Sequence, residues 1–252
     1  MSGHSKWSTI KRAKGANDAR RGQLFTKLSK EIIVAARQGG GNVEMNFRLR
    51  MAVQKARDNN MPNDSIDRAI KRASGDDVGQ NQMEEVLYEG YGPGGTAILL
   101  ETLTDNRNRT VSDVRSTLTK WGGNLADAGS VAWQFQQKGV VIVETTPDEA
   151  EELTLTAIDA GADDFETMDS TLHAYSAPES LEQIRNSLAE VGAPIRSSEV
   201  SMMPNSTVVL DENMSIQTLR LLDMLEDLDD VQRVFSNADF PDSAIEKYGE
   251  EE

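Results

Sequence analysis

The side chains best suited to chemistry in this chain are cations, and the chemistry they suit is phosphate neutralisation. Between Ser2 and Gly75 stand sixteen Lys and Arg against six acids, a balance of +10, while the rest of the 252 residues holds ten bases and thirty-six acids, −26. A net charge of −16 therefore joins a basic head to an acidic body. A basic face attracts polyanions and an acidic one repels them, which restricts where a polyanion can dock. The segment Gly3-His4-Ser5-Lys6-Trp7, followed by Lys11, Arg12 and Lys14, sets an aromatic ring among cations. Trp7 suits either stacking on an unpaired base, with the cations on phosphates, or anchoring the segment to the helices that follow.

A second basic spot is Asn106-Arg107-Asn108-Arg109-Thr110. There Arg107 and Arg109 open a helix whose free N–H groups favour anions, and they stand as a secondary anion contact beside the plainer reading of capping by Asn108 or Asp105. Gly90-Tyr91-Gly92-Pro93-Gly94-Gly95 has the dinucleotide spacing G-x-G-x-x-G, but a strand-like run, Thr96-Ala97-Ile98-Leu99-Leu100, follows it. Without a helix dipole the motif reads as a turn. His4 and His173 lack neighbouring metal ligands; His4 reads as part of the N-terminal segment and His173 as strand surface. The pairs Asp76-Asp77, Asp163-Asp164 and Asp229-Asp230 read as turn carboxylates. No nucleophile, base and orienting group assemble by spacing, so no catalytic residue, metal or cofactor is expected.

Three amphipathic helices must position the cations of the head. Leu24, Phe25, Leu28, Ile32, Ala35 and Ala36 share one arc, with Lys27, Lys30 and Arg37 opposite, until Gly39-Gly40-Gly41 stops the helix. Leu49, Ala52, Val53 and Ala56 repeat the stripe, flanked by Arg48 and Lys55 on one side and Arg50 and Arg57 on the other. Ile66, Ala69, Ile70 and Ala73 repeat it again between Pro62 and Gly75, with Arg68, Lys71 and Arg72 facing away. The predicted head is a three-helix domain over residues 1–75, its cations exposed.

Residues 76–82 are polar and read as a linker. Beyond them, strands are expected at 84–91, 96–104 and 131–136, with a helix marked by Val111, Val114, Leu118 and Trp121. Residues 138–204 then follow the order β-α-β-β-α-β of a ferredoxin-like unit. A strand at 207–210, a helix at 214–228 and a strand at 231–236 are too few for a domain by themselves. Joined to the elements before residue 137 they form a second sheet-and-helix layer. The predicted class is α+β: a basic helical domain, a discontinuous α+β domain over 80–137 and 205–240, and a ferredoxin-like domain inserted at 138–204. The acidic end, 246–252, reads as frayed.

With 38% apolar residues the chain can build cores. It has no cysteine, which excludes disulfide and thiolate chemistry. The start has no apolar signal core, and aliphatic runs such as Val140-Val141-Ile142-Val143 are too short to cross a bilayer. The expectation is a cytoplasmic monomer without membrane contact.

Several separated stretches resemble the YebC/PmpR family of bacterial proteins designated transcriptional regulators, which has a mitochondrial relative that activates translation of cytochrome c oxidase. They are Gly3-His4-Ser5-Lys6-Trp7, Arg21-Gly22-x-x-Phe25-Thr26-Lys27, the triple glycine, Asn46-x-Arg48-Leu49-Arg50, Asn59-Asn60-Met61-Pro62, Tyr88-Glu89-Gly90-Tyr91-Gly92-Pro93-Gly94-Gly95, Asp105-Asn106-Arg107-Asn108-Arg109-Thr110 and Trp133-x-Phe135. The resemblance covers nearly the whole chain and implies three domains. The primary expectation is a non-enzymatic, DNA-binding regulator whose head contacts phosphates while the acidic modules meet a protein partner. The alternative is a translation factor on ribosomal RNA that eases synthesis of difficult peptides such as proline runs. Rival classes are an Mg²⁺-dependent nuclease using body carboxylates and an adaptor that binds no nucleic acid.

Overall fold

The computed structural model describes residues 18–74, 83–168 and 170–251. The expected linker at 76–82 lies outside the described residues. So do His4, Ser5, Lys6, Trp7, Lys11, Arg12 and Lys14.

The head is three helices: α1 (Asp18–Gly39), α2 (Phe47–Asp58) and α3 (Asn63–Ser74). Their stripes meet as the periodicity requires. Leu28, Ile32, Ala35 and Ala36 of α1 pack with Leu49, Ala52, Val53 and Ala56 of α2 and with Ile66 and Ala69 of α3. Burying each large aliphatic side chain contributes about 1.5–3 kcal/mol. Asn46 locks the α1–α2 corner. Its amide donates to the carbonyls of Ala35 and Gly40, both at 2.8 Å, while its carbonyl caps α2 at the Leu49 N–H. A Cβ on Gly39 would lie 2.6 Å from that amide nitrogen, so glycine is required there.

The first sheet has the order β3-β1-β2-β9, with every neighbouring pair antiparallel. Strands β1 (Glu84–Tyr91) and β2 (Ala97–Thr104) form a central hairpin, β3 (Asn124–Ala126) flanks β1, and β9 (Val231–Ser236) flanks β2. A 3-10 turn at Pro93–Gly95 joins the hairpin where the glycine motif lies. Gly94 sits at φ 69°, and a Cβ there would lie 2.5 Å from Leu210 Cδ2, so the motif serves a tight turn between strands. Helices α4 (Arg107–Lys120) and α7 (Glu212–Glu226) cover one face through Ile98, Leu100, Val114, Leu118, Leu219 and Leu222.

The second sheet has the order β5-β6-β4-β7, also antiparallel. It is built from β4 (Phe135–Glu144), α5 (Ala150–Asp159), β5 (Asp164–Met168), β6 (Thr171–Ser176), α6 (Leu181–Glu190) and β7 (Ile195–Pro204). That element order and strand order form the ferredoxin-like arrangement. The first sheet has the same two layers, but its hairpin is central rather than at an edge. Phe135 at the start of β4 packs with Ala97, Leu99 and Phe235 on the free face of the first sheet, so the two sheets share a core.

Three local expectations differ from the structure. The strand expected at 131–136 is a 3-10 turn at Ala132–Gln134, and β4 runs unbroken from Phe135 across the expected boundary at 138. His173 is not on a surface: it is 1% exposed and bonded to the Thr171 hydroxyl, because β6 is an interior strand buried on both faces. The acidic end is helical. After the short parallel pair of β8 (Val208–Val209) with β10 (Ala238–Asp239), α8 (Asp242–Glu251) buries Ala244, Ile245 and Tyr248 against the first core.

Candidate nucleic-acid interface

The structure divides the predicted head cations by the direction they face. Lys27 and Lys30 lie on the outer arc of α1, as the helical wheel requires, but that arc meets the body. The Lys27 ammonium bonds the Glu226 carbonyl at the C-terminus of α7. Lys30 bonds the Asp229 carbonyl at 2.9 Å and the Asp230 carboxylate at 3.2 Å. Unpaired carbonyls make a helix C-terminus electronegative, which favours two ammonium groups there.

Asp230 is 7% exposed and also accepts from Arg109 at 2.7 Å, Thr110 at 2.9 Å and Thr104 at 3.2 Å. Burial pushes its carboxyl up. The hydrogen bonds from Arg109, Thr110 and Lys30 outweigh that and hold it below the usual carboxylate value. Arg109 is thereby committed to Asp105 and Asp230, and Arg107 to Glu84. The α4 cap is Asn106, which accepts from the Arg109 N–H, rather than Asn108 or Asp105. Both arginines of the expected secondary anion contact thus serve carboxylates of the chain itself.

A second ionic cluster joins all three layers. Lys55 of α2 lies 3.3 Å from Glu31 of α1 and 3.8 Å from Glu199 of β7, while Arg233 of β9 meets Glu101 of β2 at 2.8 Å and the Val200 carbonyl. Burial raises the Glu31 carboxyl, but Lys55 and Arg233 more than reverse this and lower it. Arg50 pairs with Glu182 in the first turn of α6 at 3.2 Å, and Arg48 with Glu85 of β1 at 2.7 Å. The expectation that Lys27, Lys30, Arg50 and Lys55 stand open to solvent is corrected: carboxylates and carbonyls up to 200 residues distant face them.

The remaining described cations of the predicted contact set, Arg37, Arg57, Arg68, Lys71 and Arg72, are exposed. Among the described residues none of the five is ion-paired; Arg68 folds onto the Asp64 carbonyl and Ser65 hydroxyl of its own helix. Arg37 ends α1, Arg57 ends α2, and Arg68, Lys71 and Arg72 line the outside of α3. Sequence reasoning missed Phe47. It is 45% exposed at the start of α2, with the Arg50 guanidinium 5.5 Å from its ring centre. An aromatic outside the stripe Leu49, Ala52, Val53, Ala56 was the available signal.

Glu89, 4% exposed, was also missed. Its carboxylate accepts the N–H groups of Gly129, Val131 and Ala132 at 2.6, 2.6 and 2.9 Å. Burial raises this carboxyl, and the backbone donors reverse the shift and lower it. The cradle fixes the loop before Trp133, which is 71% exposed with its indole N–H on the Ser130 carbonyl. Among the described residues no group of three or more His or carboxylate side chains has metal-binding geometry, and no helix is long and apolar enough to cross a membrane.

Residues 5–76 match the family description "TACO1/YebC protein N-terminal domain", and residues 83–238 match "TACO1/YebC second and third domain". The chain belongs to the TACO1/YebC family. A Dehalococcoides mccartyi relative named "Probable transcriptional regulatory protein" is 56% identical over 248 residues, 98% of each chain. A Chloroflexus aggregans relative bearing the same name is 52% identical over 251 residues, 98% of this chain and 99% of the relative. The crystal structure of a conserved hypothetical protein from Aquifex aeolicus superposes with a TM-score of 0.81 at 45% identity, covering 89% of this chain and 92% of that one. In this family member the α+β architecture and the helical head go together.

Proposed function

We propose that this TACO1/YebC protein is a non-enzymatic regulator of gene expression that binds DNA through the solvent-facing cations of its head. The observation that carries the reading is the division of the cations. Arg37, Arg57, Arg68, Lys71 and Arg72 are exposed without acidic partners, while the body-facing set is neutralised. His4, Ser5, Lys6, Trp7, Lys11, Arg12 and Lys14 would extend the basic surface from the N-terminal side. The names of the relatives support a regulatory role.

Contacts of this kind neutralise phosphates and set orientation; they do not read bases. Sequence preference must then come from deformability of the DNA or from a partner. Footprinting of the full chain on promoter fragments tests the reading. Protection of defined promoter segments, lost with Lys71→Glu/Arg72→Glu, is expected. Absence of any footprint, with cosedimentation on ribosomes instead, would replace DNA by ribosomal RNA as the ligand.

A further inference from the structure

Helix α5 carries more apolar surface than its core uses. Leu153, Ala157 and Ala160 face the second sheet and are buried, yet Leu155 and Ile158 are 57% and 43% exposed on the outer side. Helix α5 packs over the β5–β6 half of that sheet, and α6 over the β4–β7 half. Beside α5, edge strand β5 leaves Phe165 47% exposed; its partner Ala174 is buried on the helix side, so Phe165 shares the face that α5 covers. An apolar stripe on the outer side of a surface helix, continued by an aromatic side chain at the adjacent sheet edge, marks a contact surface.

Charge identifies what fits. Residues 139–184 contain twelve acids and no Lys or Arg. Glu151, Glu152 and Asp159 are exposed around the apolar side chains of α5, and among the described residues none of the three is ion-paired. The cation reaching this region, Lys138, is held by Asp163 at 2.8 Å. Unpaired carboxylates around apolar side chains repel nucleic acid and attract a chain with the opposite pattern.

We infer that the outer surface of α5 with the edge of β5 is a docking face for a basic, amphipathic segment of a partner protein. Apolar side chains of that segment would cover Leu155, Ile158 and Phe165, and its Lys or Arg would meet Glu151, Glu152 and Asp159. This surface is independent of the head's cations and of the nucleic-acid reading.

A fluorescein-labelled peptide of Lys and Leu at helical spacing is the probe, with a Glu and Leu peptide of the same pattern as control. Anisotropy with the full chain should show saturable binding of the Lys peptide alone. Hydrogen exchange should slow over residues 150–168. Leu155→Ser/Ile158→Ser should weaken binding about tenfold with an unchanged melting curve, since both side chains are exposed. Glu151→Lys/Asp159→Lys should weaken it similarly without touching the apolar stripe. Wild-type affinity in either variant, or protection elsewhere, would overturn the proposal. So would a dimer in sedimentation equilibrium that either variant dissolves, because the occupant would then be a second copy.

Discussion

The ammonium of Lys30 lies 3.2 Å from the carboxylate of Asp230, 200 residues later in the chain, and with it the basic head is bonded to the acidic body. The opposite charges of the two parts are therefore used first on each other. Asp230 also holds Arg109, Thr110 and Thr104, so its carboxylate joins α1, α4 and the end of β2. Asp230→Asn removes the carboxylate partner of Lys30 and one of the two carboxylate partners of Arg109. It should cost about 1–3 kcal/mol of unfolding free energy, as for leaving hydrogen-bonding partners of a buried group unpaired, measured by urea denaturation.

The pH dependence follows from the directions of the shifts. Asp230 is lowered from 3.8, and Glu31 and Glu89 from 4.5. A carboxylate depressed in the folded state stabilises it above the unfolded value, and that contribution is lost as pH falls through the folded value. Stability should hold above about pH 5 and decline as pH falls through and below the ordinary carboxylate range of about 4 to 4.5. Asp230→Asn should flatten the acid limb in thermal melts at stepped pH.

Glu89→Gln replaces an acceptor of three backbone N–H groups by an amide that can accept through one oxygen only. The loss should be about 2–4 kcal/mol, from charge-assisted bonds removed and N–H groups left unpaired. Faster hydrogen exchange confined to residues 129–132, with increased Trp133 mobility in fluorescence anisotropy, would accompany it.

The second sheet is predicted to be separable. Gln137 pairs with Met202 and Phe135 with Pro204, so the two chain crossings into this unit lie side by side. Replacing 138–204 by a short linker should leave a cooperatively folding remainder. It should be less stable than the whole, because Arg50, Lys55 and Arg233 lose Glu182, Glu199 and the Val200 carbonyl. Non-cooperative melting of the remainder would contradict this.

What could be read from the sequence was whatever repeats locally. Leu49, Ala52, Val53 and Ala56 announce their buried face by helical spacing, and all four are buried. The order of strands and helices after residue 138 announces a ferredoxin-like layer for the same reason. Lys27 and Lys30 show the limit: a helical wheel says they leave their own core, but not that Glu226 and Asp230 wait there. His173 was misread because alternation suggests a half-exposed strand, while the position of β6 inside the sheet is settled by distant pairings. Helix α8 did carry a signal, Ala244, Ile245 and Tyr248 on one face, which its acidic composition concealed.

The division of the head into body-facing and solvent-facing cations is tested most directly by the salt dependence of full-chain affinity for duplex DNA. Five solvent-facing cations on phosphates give a log–log slope of about −4 to −5, steeper if the N-terminal segment adds contacts. Arg68→Gln/Lys71→Gln/Arg72→Gln should reduce its magnitude by about 3, while Lys30→Gln should leave it unchanged. A slope near zero, or one that Lys30→Gln reduces and the triple variant does not, would contradict the account.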